Sequence, residues 1–151
     1  ERIEEGQGFQ AVVDYAHTPD SLAALYSAYP GRKICVLGNT GGGRDTWKRP
    51  EMGRIADEAC DEVILTNEDP YDEDPRAIVE AMAAGMKRAP KIIMDRREAI
   101  GAALSLARPG DAVLITGKGT DPYIMEANGK KTPWSDAAVV REELKKLAGG
   151  A

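Results

Sequence analysis

The chain predicts an α/β fold: an open, mostly parallel sheet of about six strands, one of them an antiparallel edge, with helices on both faces. Short β-branched runs are near-continuous, as in strands buried on both faces. Between them lie longer stretches whose apolar residues recur three and four apart. These stretches carry sharp helix start and stop signals.

The first strand is predicted over Phe9–Val13. Thr18-Pro19-Asp20 then gives a capping hydroxyl, a proline at the first helical position and an acid, opening a helix that Pro30-Gly31 ends. After the strand Ile34–Leu37, Pro50 opens a second helix with Met52, Ile55, Ala56, Ala59 and Cys60 on one stripe. The strand Val63–Leu65 leads to Asp74-Pro75 and a third helix carrying Ile78, Met82 and Met86. Ile92–Met94 is the next strand, and Asp95 to Glu98 has capping-box spacing for a fourth helix, which Pro109-Gly110 stops. Ala112–Ile115 follows as a strand. Asn128-Gly129, between Tyr123 and Pro133, reads as a hairpin turn and predicts the antiparallel edge strand. Ser135 caps a last helix with Val140, Leu144 and Leu147 on one face and Gly149-Gly150 beyond. No repeat or linker divides the chain.

At 151 residues this is one domain with one sizeable core. A net charge of −5 argues against nucleic acid or an anionic membrane as the main partner. No stretch approaches the roughly 20 apolar residues that span a bilayer, and a cytoplasmic location is expected. Cys35 and Cys60 lie in apolar runs and are expected to be reduced core thiols. The chain opens on Glu1 rather than Met, as expected of a piece of a longer protein.

Open α/β sheets bind ligands beyond the carboxyl ends of their strands, and this sequence places its unusual polar segments there. Gly38-Asn39-Thr40-Gly41-Gly42-Gly43-Arg44-Asp45 suits an anion: glycines admit close backbone approach, and Arg44, Lys48 and Arg49 add charge at a helix start. Arg44-Asp45 stands where a P-loop needs Lys-Ser/Thr, so no triphosphate is held in that manner. After the third strand, Glu68, Asp69, Asp72, Glu73 and Asp74 crowd together, suited to an ammonium group or simply to solvent. The carboxylates lack calcium-loop spacing and His17 is the only imidazole, so no metal site is expected. His17 stands at a strand end three residues after Asp14, open to a structural or a functional role.

Four segments in this order resemble the C-terminal domain of the Mur ligases, specifically their MurE branch. Asp14-Tyr15-Ala16-His17-Thr18-Pro19-Asp20 is similar to that branch's Asp-Tyr-Ala-His-Thr-Pro motif, and Gly41 to Pro50 to its Gly-Gly-Asp-Arg-Asp-Lys-x-Lys-Arg-Pro stretch. Thr66 to Pro75 sits where the family selects its amino acid, and Gly117-Lys118-Gly119 resembles the start of Gly-Lys-Gly-His-Glu. The resemblance spans roughly residues 9 to 147. It implies a Rossmann-like domain of a three-domain enzyme that consumes ATP with Mg2+ and adds the third residue to the peptidoglycan stem peptide. The implied partners are a central ATPase domain, an N-terminal uridine-nucleotide domain and a small-molecule amino acid. No catalytic residue is implied within this domain, and the isolated chain is expected to be inactive. By position, Arg44 would grip the amino acid's carboxylate, and Glu68, Asp69, Tyr71, Gly117 and Asp121 would line its pocket. Asp14 and His17 would lie on the ATP side.

Tyr71 replaces the arginine by which diaminopimelate-adding members hold a second carboxylate, and tyrosine carries no positive charge at neutral pH. That favours lysine or a similar diamino acid, with diaminopimelate the alternative. Thr120-Asp121 replaces His-Glu, one methylene shorter, and Trp47 replaces a small residue. The competing expectations are another Mur-type ligase, such as folylpolyglutamate synthetase, and a non-catalytic flavodoxin-like module.

Overall fold

The computed structural model describes residues 1–43 and 45–149. Six strands form one sheet in the order β1-β2-β6-β3-β4-β5. They are β1 (Arg2–Ile3), β2 (Gln10–Asp14), β3 (Lys33–Leu37), β4 (Glu62–Leu65), β5 (Lys91–Ile92) and β6 (Ala112–Thr116). The helices are α1 (Pro19–Ser27), α2 (Lys48–Ala59), α3 (Pro75–Ala83), α4 (Arg96–Leu106) and α5 (Asp136–Gly149). All sheet pairings are parallel except β1 with β2. The antiparallel edge is therefore Arg2–Ile3. The segment expected to supply it forms a separate two-stranded hairpin, β7 (Tyr123–Met125) with β8 (Lys131–Pro133), around a single turn of 3-10 helix at Ala127–Gly129. The turn chemistry at Asn128-Gly129 was legible; which sheet the strands joined was not, because local sequence fixes a hairpin but not its docking.

Strand alternation explains the layering. On β3, Ile34 and Val36 join β6 residues Val113 and Ile115 under α4 and α5, with Ile100, Leu104, Val140 and Leu144. Cys35 and Leu37 face the other way with Leu114, against Leu22 and Tyr26 of α1, Met52 of α2 and Met82 of α3. Both faces are buried, so the strands read as unbroken apolar runs.

The caps act as their sequences predict. Thr18 accepts from the Ser21 amide, Asp74 from Arg76 and Asp95 from Glu98. α2 starts at Lys48, two residues ahead of Pro50, with no side-chain cap at Trp47.

Cys35 and Cys60 are joined in a disulfide, which corrects the expectation of reduced thiols. Cys35 points into the α1–α3 face, and α2 ends at Cys60 on that same face. Their Cα atoms are 6.2 Å apart, within bridging reach. Closing a 25-residue separation stabilises the fold by roughly 3 kcal/mol in the chain-entropy account. Two isolated cysteines in apolar runs gave no sign of this, because the contact depends on α2 returning antiparallel to β3.

Candidate functional site

β6 lies between β2 and β3, so the loops after β2, β3, β4 and β6 gather along one rim. The Asp14 carbonyl accepts the Gly117 amide at 3.1 Å, joining the first loop to the last. The Asp14 carboxylate accepts the Ala16 amide at 2.8 Å through one oxygen. His17 lies beside it, with Nδ1 2.9 Å from the Tyr15 carbonyl and its ring 4.6 Å from that of Tyr15.

The glycine-rich loop runs alongside the acidic one. Thr40 bridges Asp69 in parallel fashion, and the Gly41 amide donates to the Asp69 carbonyl at 2.7 Å. The loop does cradle an anion, and the anion is the chain's own Glu73. Its carboxylate accepts the Gly43 amide at 2.5 Å and both terminal nitrogens of Arg49 at 3.0 Å. These donors, Arg49 foremost, hold the Glu73 carboxyl below the usual range. Arg44, the proposed carboxylate grip, lies outside the described residues. Trp47, three positions later, is exposed.

The five carboxylates of the acidic loop divide by task. Asp74 caps α3, Asp72 accepts the Asn128 amide of the hairpin, and Glu73 occupies the glycine loop. Glu68 and Asp69 turn inward and are buried. Glu68 accepts from the Thr40 hydroxyl at 2.8 Å. Asp69 Oδ1 accepts both Lys118 Nζ, at 2.8 Å, and the Met125 amide, at 2.9 Å. Lys118, almost wholly buried, also donates to the Tyr123 carbonyl and lies 3.8 Å from the half-exposed Asp121. Tyr71 adopts a left-handed conformation, φ 52°, and its amide donates to the Met125 carbonyl at 3.0 Å. Gly117 has φ 104°, and a Cβ there would lie 1.9 Å from a Glu68 oxygen, so only glycine fits.

Glu68, Asp69, Tyr71, Gly117 and Asp121 thus share one neighbourhood, with Asp14 and His17 at its margin. Tyr15, 53% exposed, belongs to it as well. The negative charge of Asp121, followed by burial and by Glu68 and Asp69, raises the Tyr15 phenol above its ordinary pKa. Sequence reasoning passed over Tyr15 in favour of the titratable Asp14 and His17 on either side. It also missed Lys118 as a buried counter-charge, since a Gly-Lys-Gly segment looks solvent-exposed. Among the described residues no three His, Cys, Asp or Glu side chains come together as metal ligands would. Among the described residues, too, no helix is long and apolar enough to cross a membrane.

Burial, opposed by Arg96 and the Thr40 hydrogen bond, raises the Glu68 carboxyl pKa. An acid whose folded pKa exceeds its unfolded value, about 4.3, contributes most favourably at low pH, and that contribution is lost as pH rises through the folded pKa. Glu68→Gln keeps an acceptor for Thr40 without the charge. At about pH 8 its urea midpoint should equal or exceed the parent's, with the advantage fading towards about pH 4. A variant less stable than the parent at the higher pH would show that attraction to Arg96 and Lys118 outweighs burial.

The family model described as Mur ligase, glutamate ligase domain, matches residues 1–119. The chain is 44% identical over 138 residues to the UDP-N-acetylmuramoyl-L-alanyl-D-glutamate--2,6-diaminopimelate ligase of Chlorobium phaeobacteroides, covering 87% of this chain and 27% of that one. It is 43% identical over 161 residues to the UDP-N-acetylmuramyl-tripeptide synthetase of a Roseiflexus species, covering 99% and 31%. A solved UDP-N-acetylmuramoyl-L-alanyl-D-glutamate--2,6-diaminopimelate ligase superposes with a TM-score of 0.88 at 35% identity, covering 98% of this chain and 31% of its own. The chain spans less than a third of the length of these relatives.

Proposed function

The chain belongs to the Mur ligase family through its glutamate ligase domain, and from that membership we propose that it is the C-terminal, amino-acid-receiving domain of a three-domain, ATP-dependent ligase. The ligase adds the third residue to UDP-N-acetylmuramoyl-L-alanyl-D-glutamate during peptidoglycan synthesis. The observation that carries the reading is the rim itself: the half-exposed Asp121 beside the buried Glu68 and Asp69, with the glycine-rich loop alongside. A zwitterion with a second amine complements that arrangement. Arg44 would meet its carboxylate, while Asp121, Tyr71 and the edge of Glu68 and Asp69 would face its side chain, with Gly117 admitting the Glu68 carboxylate to that position.

In the proposed reaction the dipeptide carboxylate takes the γ-phosphoryl group of ATP, releasing ADP; the incoming amine attacks the acyl phosphate, and phosphate and a proton leave. This domain's share is to orient the amino acid and to close one side of the nucleotide site with Asp14 and His17. Mg2+ and the phosphates fall to the central domain. ATP and a uridine nucleotide as substrates place the step in the cytoplasm. Tyr71 can donate one hydrogen bond but cannot neutralise a second carboxylate, so we favour lysine or another diamino acid with one carboxylate over diaminopimelate.

A phosphate-release assay on the full-length ligase with lysine, ornithine and diaminopimelate tests this. Lysine or ornithine should support turnover best. Preference for diaminopimelate would overturn the reading of Tyr71, and no dependence on any amino acid would overturn the function itself.

A further inference from the structure

Resting on that function, we infer that Arg96 is a positioning residue for the amino-acid site: one buried guanidinium sets the spacing between the loop bearing Glu68 and the loop bearing Gly117 and Asp121. β4 and β6 are not neighbours, since β3 lies between them. Their ends are therefore about 10 Å apart, and no ladder hydrogen bond links them directly. Beyond Leu37 the chain continues beside the acidic loop, through the Thr40–Asp69 bridge, and makes no direct link from the β4 end to the β6 end. Arg96, from α4, supplies that link. Nη1 donates to the Asn67 carbonyl at 3.0 Å and Nη2 to the Thr116 carbonyl at 3.0 Å.

The residues immediately following those two carbonyls are Glu68 and Gly117, both assigned to the amino-acid site. Their separation is tight, because Gly117 has no room for a Cβ against Glu68. The guanidinium is itself fixed from behind. Nε and Nη2 donate to the two oxygens of Asp136 at 2.9 and 2.7 Å, and Trp134 Nε1 donates to the same carboxylate at 2.6 Å. With its side chain 1% exposed, Arg96 touches no ligand and acts only through the strand ends it joins.

Lysine keeps the charge but offers its donors from a single atom, so it cannot serve two carbonyls and a carboxylate in the fork geometry. In the full-length ligase, Arg96→Lys should raise KM for the amino acid about tenfold while KM for ATP and for the nucleotide dipeptide stays within about twofold. Equal changes for all three substrates, or lost kcat with every KM unchanged, would reduce Arg96 to a purely structural role. Should Arg96→Lys unfold under assay conditions, Asp136→Asn, which keeps an acceptor but loosens the fork, carries the same expected split and the same overturning result. A parent enzyme showing no amino-acid-dependent phosphate release would overturn the functional reading and this inference together. An active parent with an unselective variant would overturn only the inference.

Discussion

Replacing Asp136 with alanine should cost about 3–5 kcal/mol of folding stability, because it leaves a guanidinium buried without its counter-charge. The side chains of Arg96 and Asp136 are 1% and 0% exposed, so water cannot take the place of the lost carboxylate. Typical domains are stable by only about 5–15 kcal/mol, so the loss is a large share of the total. Urea unfolding of parent and variant measures it directly. The double replacement Arg96→Met with Asp136→Leu should recover only part of the loss: it removes both desolvation penalties but leaves the Asn67 and Thr116 carbonyls and Trp134 Nε1 without their partners. A single variant that loses less than about 1 kcal/mol would show that the pair is hydrated and contributes no more than a surface ion pair.

Gly53→Ala should destabilise the chain by about 2–4 kcal/mol, in spite of alanine's better helix propensity. Gly53 lies within α2, and a Cβ there would stand 2.0 Å from the Met82 carbonyl oxygen of α3. The contact is reciprocal: a Cβ on Gly85, just past α3, would stand 1.9 Å from the Pro50 carbonyl oxygen. Both obstacles are backbone atoms, so relief requires the helices to separate. Propensity alone would favour alanine by about 1 kcal/mol, so the two effects differ in sign and a thermal melt decides between them. A raised melting temperature would mean that the helices part at little cost.

Much of this architecture was legible in the sequence. Capped helices at Thr18, Asp74 and Asp95 begin where their side chains indicate, because a cap is a local interaction between residues two or three apart. The runs Ile34–Leu37, Val63–Leu65 and Ala112–Ile115 fall inside β3, β4 and β6, because burial on both faces demands continuous apolar sequence. What depended on distant partners was not legible. Arg2–Ile3 is too short to carry a pattern, Cys35 and Cys60 meet only through the path of α2, and Arg96 finds Asp136 40 positions later. At the candidate site, motif positions identified Glu68, Asp69, Gly117 and Asp121 as neighbours. They did not distinguish carboxylates with internal partners, such as Asp69 and Glu73, from the half-exposed Asp121.

The β7–β8 hairpin hangs from the acidic loop rather than from the main sheet: Asp69 holds the Met125 amide, Tyr71 its carbonyl, and Asp72 the Asn128 amide. For a test of the proposed amino-acid preference by exchange between relatives, residues 68–72 are therefore not an independent cassette. Exchanging them alone would cut the moorings of a segment more than 50 positions downstream, and a working graft would have to carry the hairpin along with them.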